Sequence, residues 1–367
     1  MPNNNTTQTW NEYVAFELAY VRKCLLPLGY TLDTEQPHLL GERFLMQAVT
    51  TTGGRKLILQ GKDQNEQRVI IKVASDISGQ EEIKHERLCR SLINSLNFAY
   101  GVFTAPSELL FLEKDGRVIA IQEYIEQTSS FLDRPLLDQF DFALQSLKAQ
   151  AQAQITTRGH FRSISKTFGY YEVTDYLRNV EIFIQNISTC NVSSSLQTTL
   201  QAAQNYLLQN SIRIAQYTGF LTHTDFVPHN FRIKDHTVYL LDFSSIRFGN
   251  KHESWARFLN FMTLYNHPLE NALIQYADQN FSPEERESLQ RMRVYRLIEI
   301  ISYYTTATKN SSDDLLILNQ NRIAFWHEVL RAELHNHRVD RAIVTQYKLT
   351  RDQLRSDGEK VRQQNLH

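Results

Sequence analysis

The pattern of apolar residues at the start of the chain predicts an N-terminal helix. These residues recur every three or four positions, as on one face of a helix, and are Trp10, Val14, Leu18, Val21 and Leu25. Thr9 and Glu12 have the spacing of a capping box, so the helix is expected to begin near residue 10. Pro27 and Gly29 predict that it ends shortly after residue 25.

Between residues 44 and 124 the pattern changes to short apolar and β-branched runs separated by turn residues, which predicts strands. The runs are Phe44–Thr50, Lys56–Gln60, Arg68–Val73, Ser107–Glu113 and Arg117–Tyr124. A helix capped by Ser78 and Glu81 separates the third strand from the fourth, and an Asp115-Gly116 turn joins the last two. We therefore expect a five-stranded antiparallel sheet with one central helix.

Beyond Glu126 the pattern predicts a mostly helical region. Candidate helices cover Leu136–Thr156, Val173–Ile187, Leu196–Thr218, Pro283–Thr306 and Asp313–His335. Two short strands, Phe231–Lys234 and Val238–Asp242, interrupt them, and the polar tail Val339–His367 predicts a peripheral helix. We expect an α+β protein with two domains, residues 1–125 and 126–367.

Composition excludes several classes of protein. Hydrophobic residues make up 42% and charged residues 22% of the 367 residues, so the chain is expected to be globular rather than disordered. A net charge of -1 gives no global reason to bind nucleic acid or an anionic membrane. The cysteines Cys24, Cys89 and Cys190 form no C-x-x-C pair, so a disulfide framework or zinc ribbon is not supported. With no visible secretory signal and no apolar run of ~20 residues, we expect a cytoplasmic protein.

Candidate chemistry is concentrated between residues 223 and 242. His223, Asp225 and Asn230 follow one another within eight residues, and Asp242 comes after the short strand pair. Side chains at strand ends can converge on one point from a rigid base. Two carboxylates and a carboxamide oxygen are hard ligands suited to Mg²⁺ with phosphate oxygens. A carboxylate that does not bind the metal can orient a hydroxyl and accept its proton.

The spacing H-x-D-x-x-x-x-N, with an Asp twelve residues later, resembles the catalytic loop of the protein-kinase-like superfamily. Within that superfamily the likeness is to the aminoglycoside phosphotransferase and choline-kinase-like family, and it covers about residues 44–261. The resemblance implies a bilobal fold, with a small antiparallel β N-lobe around one helix and a larger helical C-lobe. It implies that Asp225 accepts the proton of the acceptor hydroxyl. His223 could act as a base, but we expect it to order the loop by hydrogen bonding. Asn230 and Asp242 would hold Mg²⁺.

The same resemblance implies nucleotide-binding residues in the first half of the chain. Lys72 ends the run Val-Ile-Ile-Lys and looks like the family lysine that contacts the α- and β-phosphates of ATP. Glu86, fourteen residues later, looks like its ion-pair partner, with Glu82 as a rival on the same helix face. Gly53-Gly54 stand where the family has its glycine-rich loop. The carbonyl of Glu123 and the amide of Ile125 would bind adenine.

These residues imply an ATP-dependent kinase that transfers the γ-phosphoryl group to a hydroxyl of a small molecule. The sequence departs from protein kinases: a G-x-G-x-x-G loop is missing, Asp242-Phe243-Ser244 replaces D-F-G, and no A-P-E follows. The acidic residue often found after the family's metal loop is not evident, although Glu253 or Ser254 stands nearby.

Other interpretations stay open at this stage. The thin glycine loop is compatible with a pseudoenzyme that binds nucleotide and acts through partners, and a protein kinase is a further alternative. His223, Asp225 and His229 could be read as a zinc site, although alternate residues on an irregular loop rarely converge on one metal. The acceptor could be an aminoglycoside-like antibiotic, choline or another amino alcohol, a sugar or a nucleoside. The oligomeric state is not readable from the sequence.

Overall fold

The structure, a computed structural model, describes residues 10–34, 36, 56–95, 104–154 and 157–355. The chain forms two compact units. The first comprises Met1–Ser95, Thr104–Gln127 and Ile233–Ser244, and the second comprises Leu96–Phe103, Thr128–Arg232 and Ser245–His367. The predicted strand Phe44–Thr50 and the glycines Gly53 and Gly54 lie outside the described residues.

A five-stranded antiparallel sheet forms the centre of the first unit, in the order β1-β2-β3-β5-β4. The strands are β1 (Thr31–Leu32), β2 (Leu57–Lys62), β3 (Arg68–Ala74), β4 (Glu108–Lys114) and β5 (Arg117–Glu123). Strands β2 to β5 confirm the predicted ones to within two residues. Strand β1 was not predicted, because two residues are too few to show a period. Its pairing requires a glycine in β2, since a Cβ on Gly61 would lie 2.2 Å from the carbonyl oxygen of Thr31.

The described residues of this unit include the helices α1 (Trp10–Leu25) and α2 (Ile77–Ser95). Helix α1 has the predicted bounds. Helix α2 begins one residue before the predicted cap Ser78. The cap is Asp76 instead, whose Oδ1 accepts the backbone N–H of Gly79 at 3.1 Å. An aspartate at this position satisfies one of the unpaired amides of the first turn.

Helix α1 is attached to the sheet by a buried ion pair. The Arg117 guanidinium at the start of β5 donates to both carboxylate oxygens of Glu17, at 2.9 and 3.2 Å. Glu17 is fully buried, and the same guanidinium lies 4.0 Å from the centre of the Tyr20 ring. The helix therefore packs on the sheet through apolar side chains and one specific charged contact.

A short hairpin follows later in the chain, made of β7 (Phe231–Lys234) and β8 (Thr237–Leu240). Its turn residues Asp235 and His236 both have left-handed backbone conformations, with φ of 48° and 63°. The predicted second strand extends to Asp242, but β8 ends at Leu240. Asp242 lies after the strand, also with a left-handed φ of 57°.

The second unit is mostly helical. Its helices are α3 (Leu136–Gln152), α4 (Arg158–Thr167), α5 (Val173–Ser188), α6 (Ser194–Gln209), α7 (Ser211–Ala215), α8 (Glu253–Tyr265), α9 (His267–Asn280), α10 (Pro283–Thr308), α11 (Asp313–Leu334) and α12 (Arg341–Leu354). Two strands, β6 (Phe220–His223) and β9 (Ile246–Gly249), pair antiparallel. The predicted helix over 196–218 is two helices, because Asn210 leaves the helical conformation with ψ of 27°.

The core of the second unit beneath residues 224–231 is aromatic. Phe226, Phe231 and Phe258 are fully buried, and the rings of Phe226 and Phe231 lie 4.8 Å apart. Phe131 packs edge-on against both Phe231 and Phe258. Rings of this size, packed at these angles, fix the loop that they support. In the part of the chain that the structure describes, no helix is both long and apolar enough to cross a membrane.

The ion pair between Glu17 and Arg117 gives a prediction for stability. Glu17→Leu would leave the Arg117 guanidinium, whose side chain is only 10% exposed, without its counter-ion. We expect a loss of about 3–5 kcal/mol, the usual cost of breaking a buried pair from one side. Urea unfolding measures it. Lys62→Gln, which removes an exposed ion pair with Glu66, should leave the transition unchanged. An equal loss in both variants would contradict the anchoring role of the buried pair.

Candidate active site

Lys72 lies in the middle of β3, opposite Ala120 of β5. Its Nζ donates to both carboxylate oxygens of Glu86 on α2, at 2.5 and 2.6 Å. Both side chains are buried. The rival Glu82, one turn earlier on α2, forms an ion pair with Lys56 instead. The structure therefore pairs Lys72 with Glu86, while the role of this pair in nucleotide binding stays a prediction.

Burial and charge act in opposite directions on this pair. Burial lowers the pKa of Lys72, and the adjacent Glu86 carboxylate opposes that effect. For Glu86, burial disfavours the charged form, but Lys72 and other nearby cations outweigh it, and the pKa is lowered. Arg90, one turn along α2, is one of these cations, 3.8 Å from the Glu86 carboxylate. Glu86 is thus held ionised beside an ammonium group in a place from which water is largely excluded.

Asp242 belongs to the same unit as Lys72 and Glu86. The hydroxyl of Ser244 donates to its Oδ1 at 2.5 Å. Burial and, to a smaller extent, the charges of Glu86 and Asp242 raise the pKa of the Cys89 thiol on α2 to about 12. The charge of Asp242 therefore acts on the helix that carries Glu86, although 156 residues separate the two acids in sequence.

The predicted adenine-binding residues follow the same sheet. Glu123 is the last residue of β5, and its carboxylate accepts the backbone N–H of Ser107 at 3.2 Å. Ile125 is buried two residues later. Their contact with adenine stays a prediction, as does the part assigned to Gly53 and Gly54.

In the second unit, His223 ends strand β6 and is fully buried. Its backbone N–H donates to two side chains, Oε1 of Gln150 on α3 at 3.2 Å and Oγ of Ser254 on α8 at 3.0 Å. Ser254 also hydrogen-bonds the hydroxyl of Thr222 at 2.7 Å. A neutral serine and a glutamine thus secure the start of the loop. Glu253, the other residue considered for this position, does not take part in this contact.

Glu253 serves a different network. Its carboxylate accepts the Tyr176 hydroxyl at 2.7 Å and forms ion pairs with Arg247 and Arg296. Arg296 in turn donates to the carbonyl oxygen of Thr224 at 2.6 Å. Glu253 is fully buried, so this network supports the loop from beneath.

Asp225 is held from two sides. The Arg257 guanidinium on α8 donates to its Oδ1 through Nε at 3.1 Å and Nη2 at 2.8 Å. The Asn230 amide donates through Nδ2 to the Asp225 carbonyl at 2.8 Å and to Oδ2 at 3.0 Å. Burial opposes ionisation of Asp225, but Arg257 outweighs it, so the pKa lies well below its usual range. The carboxylate is ionised at neutral pH, and its side chain is 40% exposed.

The two residues predicted to bind the metal each carry an oxygen atom that suits a hard divalent cation. In Asn230 the Nδ2 atom is directed at Asp225, and Oδ1, on the other branch of the amide, is the atom that could bind a metal. Asp242 supplies a carboxylate. Mg²⁺ commonly binds one or two protein oxygens together with substrate phosphates. Among the described residues, no group of three or more His, Cys, Asp and Glu side chains could hold a metal ion, so the zinc alternative gains no support. Burial lowers the pKa of His229 to about 4, so its ring is neutral.

No protein-family model matches the sequence, and neither does any curated protein sequence. Solved structures do match. A thermostable mutant of aminoglycoside phosphotransferase APH(4)-Ia, in a ternary complex with AMP-PNP and hygromycin B, has a TM-score of 0.58 at 13% identity, covering 84% of this chain and 97% of that chain. The chain has the aminoglycoside phosphotransferase fold. ADP-bound APH(2'')-Ib has a TM-score of 0.54 at 14% identity, and the match covers 88% of this chain and 97% of the APH(2'')-Ib chain.

A third match is amicoumacin kinase hAmiN in complex with AMP-PNP, Ca²⁺ and Ami, with a TM-score of 0.53 at 12% identity, covering 90% of this chain and 98% of that chain. The α+β fold class expected from the sequence is confirmed, and so is the resemblance on which it rested. At such low identity, the likeness to aminoglycoside phosphotransferases concerns the fold alone.

Sequence reasoning missed three residues that hold the loop. Gln150, 73 residues before His223, carries no local signal. Arg257 lies on α8, and its contact with Asp225 depends on how that helix packs. Arg296 lies on α10, whose start at Pro283 was predicted, but no sequence spacing points to its contact with Thr224.

The two acceptors of the His223 N–H give a prediction for stability. Ser254→Ala and Gln150→Leu each remove one of these acceptors, and each also breaks the hydrogen bond that the Ser254 hydroxyl donates to Gln150. Because that shared bond is lost in both single variants, we expect the double loss to be smaller than the sum of the single losses by about 0.5–1.5 kcal/mol, the net contribution of one hydrogen bond. Chemical unfolding of the four proteins measures this coupling. Ser188→Ala, on the exposed side of α5, is the control, and additive losses would show that the two acceptors are independent.

Proposed function

We propose that this protein is an ATP-dependent phosphotransferase that moves the γ-phosphoryl group to a hydroxyl of a small molecule. The observation that carries the proposal is the buried pair of Lys72 and Glu86, at 2.5 and 2.6 Å. Burying an ion pair rarely gains stability over apolar residues of the same size. A buried ammonium held by a carboxylate, in a chain with the aminoglycoside phosphotransferase fold, is therefore better explained by binding of anionic phosphate oxygens.

In the proposed reaction, Lys72 binds the α- and β-phosphates, and Glu86 keeps its ammonium in place. Asn230 and Asp242 are the residues that would hold Mg²⁺, which when bound neutralises charge on the phosphate oxygens. The Glu123 carbonyl and the Ile125 amide bind adenine; Gly53 and Gly54, which the resemblance assigns to the glycine-rich loop, lie outside the described residues. Phosphoryl transfer involves little covalent chemistry by the protein itself. Positioning of the reactants and neutralisation of their charge therefore supply most of the rate acceleration.

Asp225 orients the acceptor hydroxyl and accepts its proton as the oxygen–phosphorus bond forms and the bond to the β-phosphate oxygen breaks. His223 orders the loop through its backbone contacts rather than acting as a base. A cytoplasmic location, where ATP is plentiful, fits this reaction.

The surroundings of Asp225 bear on the class of acceptor. Arg257 is the main cation acting on its carboxylate, and His223 and Arg296 lower its pKa to a smaller extent. Glu299, which could otherwise attract a cation, is engaged with Arg296 at 2.7 Å. A hydroxyl that reaches Asp225 lies within a few ångströms of the Arg257 guanidinium, where a neighbouring ammonium group would be repelled. Of the acceptors considered above, sugars and nucleosides fit this environment better than choline or another amino alcohol.

A pseudoenzyme is the second candidate, favoured by the missing G-x-G-x-x-G loop. It would bind Mg-ATP, or nothing, without turnover. A screen of hydroxylated metabolites and antibiotics, read out by ATP consumption, separates it from the small-molecule kinase. Transfer of radiolabel to the protein itself or to peptides would instead point to a protein kinase.

The metal role assigned to Asp242 predicts a loss of Mg-ATP binding in Asp242→Asn. Asparagine tolerates the left-handed backbone at this position, so the variant removes the charge without straining the chain. We expect the thermal shift on adding Mg-ATP to fall to less than half that of the original protein. Asp235→Asn is a matched control, because Asp235 is exposed and also has a left-handed φ, of 48°. Normal calorimetric affinity for Mg-ATP in Asp242→Asn would contradict the metal role.

The role of Asp225 predicts a separation of binding from turnover. In Asp225→Asn the base is lost, so turnover should drop by roughly 10²–10⁴-fold, the usual contribution of a positioned base. The affinity for ATP should stay within about threefold. Initial rates of ATP consumption and a calorimetric titration measure the two quantities. Asp278→Asn, on the exposed end of α9, should behave as the original protein. Unchanged turnover in Asp225→Asn would remove the residue from this role.

A further inference from the structure

The two carboxylate oxygens of Asp225 accept hydrogen bonds from different residues. A carboxylate offers about four lone-pair positions. Among the hydrogen bonds of the described residues, the Arg257 guanidinium uses two of them, both on Oδ1, at 3.1 and 2.8 Å. Asn230 uses one on Oδ2, at 3.0 Å. One position on Oδ2 is left for a further donor, on a side chain that is 40% exposed.

Arg257 is itself held in place. It extends from α8, a helix whose residues are nearly all buried, and its side chain is only 21% exposed. Glu299 on α10 and Tyr304 face it and raise the pKa of its guanidinium, as does Asp225. A guanidinium that donates through two nitrogens defines the plane of approach far better than a lysine would.

Other charged groups also face Asp225. His223 of β6 and Arg296 of α10 are the further groups that lower its pKa, each less than Arg257. His229, in the same loop, is neutral because burial lowers its pKa to about 4. Arg296 is directed at the carbonyl of Thr224, whereas Arg257 donates twice to Oδ1 of Asp225. Arg257 therefore fixes Oδ1 of the carboxylate directly, and Asn230 contacts Oδ2.

We propose that Arg257 is a positioning residue for the reaction: by occupying Oδ1 of Asp225, it leaves Oδ2 as the oxygen that meets the acceptor hydroxyl. The proposal rests on the proposed function, since it assigns Arg257 a part in the step that Asp225 performs. A purely structural ion pair would make a different prediction, because its loss would lower stability without a selective effect on turnover.

Two substitutions separate orientation from charge. Arg257→Gln removes the cation and the two-nitrogen contact, whereas Arg257→Lys keeps a cation but loses the planar geometry. We expect at least a tenfold fall in kcat for both variants, with the KM for ATP within threefold of the original. Arg331→Gln, which breaks an exposed pair with Glu328 on α11, is the control for loss of an arginine. Melting temperatures show whether each variant is folded.

A second measurement does not depend on activity. The carboxyl carbons of ¹³C-labelled aspartate are titrated by NMR, and the Asp225 resonance is identified as the one absent from Asp225→Asn. In the original protein this carboxyl should titrate below the ordinary value of about 3.9. In Arg257→Gln the pKa of the Asp225 carboxyl should rise towards that value, so that protonation begins at higher pH. In Arg257→Lys this pKa should stay low.

The possible outcomes distinguish a positioning role of Arg257 from a purely structural one. A lower kcat in both variants, with the carboxyl shifted only in Arg257→Gln, supports the positioning role. Unchanged kcat in folded Arg257→Gln, or an Asp225 carboxyl that titrates as before in that variant, overturns it. If the original protein binds Mg-ATP but shows no turnover with any acceptor, the proposed function fails and the positioning role with it, while a shifted carboxyl would show that the ion pair itself exists in solution.

Discussion

The buried contact between Lys72 and Glu86 is the interaction on which the first unit is organised. It connects the middle of β3 to α2, and so fixes the helix against the sheet at one register. Removing either partner would leave a charge in a place where water cannot solvate it. Arg90 and Lys56 add positive charge around Glu86, and the charge of Asp242 acts on Cys89 of α2. A region that concentrates fixed charges in this way is suited to a polyanionic ligand.

In the second unit, neutral side chains rather than charged ones provide the partners of a buried polar group. The amide of His223 is buried at the end of β6 and needs an acceptor, which Ser254 and Gln150 provide together. Two neutral acceptors bind an amide without adding a charge beneath the loop. Because α3 and α8 each contribute one of them, the position of the loop depends on two helices that lie far apart in sequence. This arrangement makes the loop a rigid base for Asp225.

The strands and helix ends that depend on local sequence patterns could be predicted from the sequence. Strands β2 to β5 follow from alternating and apolar runs, and α10 begins at Pro283 as predicted, with both hydrogen bonds of a capping box between Ser282 and Glu285 present. Spacing favoured Glu86 over Glu82, which lies on the same face of α2, and the structure pairs Lys72 with Glu86 and Lys56 with Glu82. The contact of Arg257 with Asp225 could not be predicted, because it joins residues 32 positions apart on different elements. Long-range packing, rather than propensity, decides such contacts.

The use of serine rather than an acid at position 254 is consistent with the charges around it. Within the described residues, Arg247, Arg257 and Arg296 form one network with Asp225, Glu253 and Glu299. Three guanidinium groups thus face three carboxylates, and most of these side chains are largely buried. A fourth carboxylate at residue 254 would have no cation of its own and would compete with Asp225 and Glu253 for the arginines they share. Because a buried charge without a partner costs far more than a neutral hydrogen bond, a serine at position 254 secures the loop without competing for the arginines that Asp225 and Glu253 share.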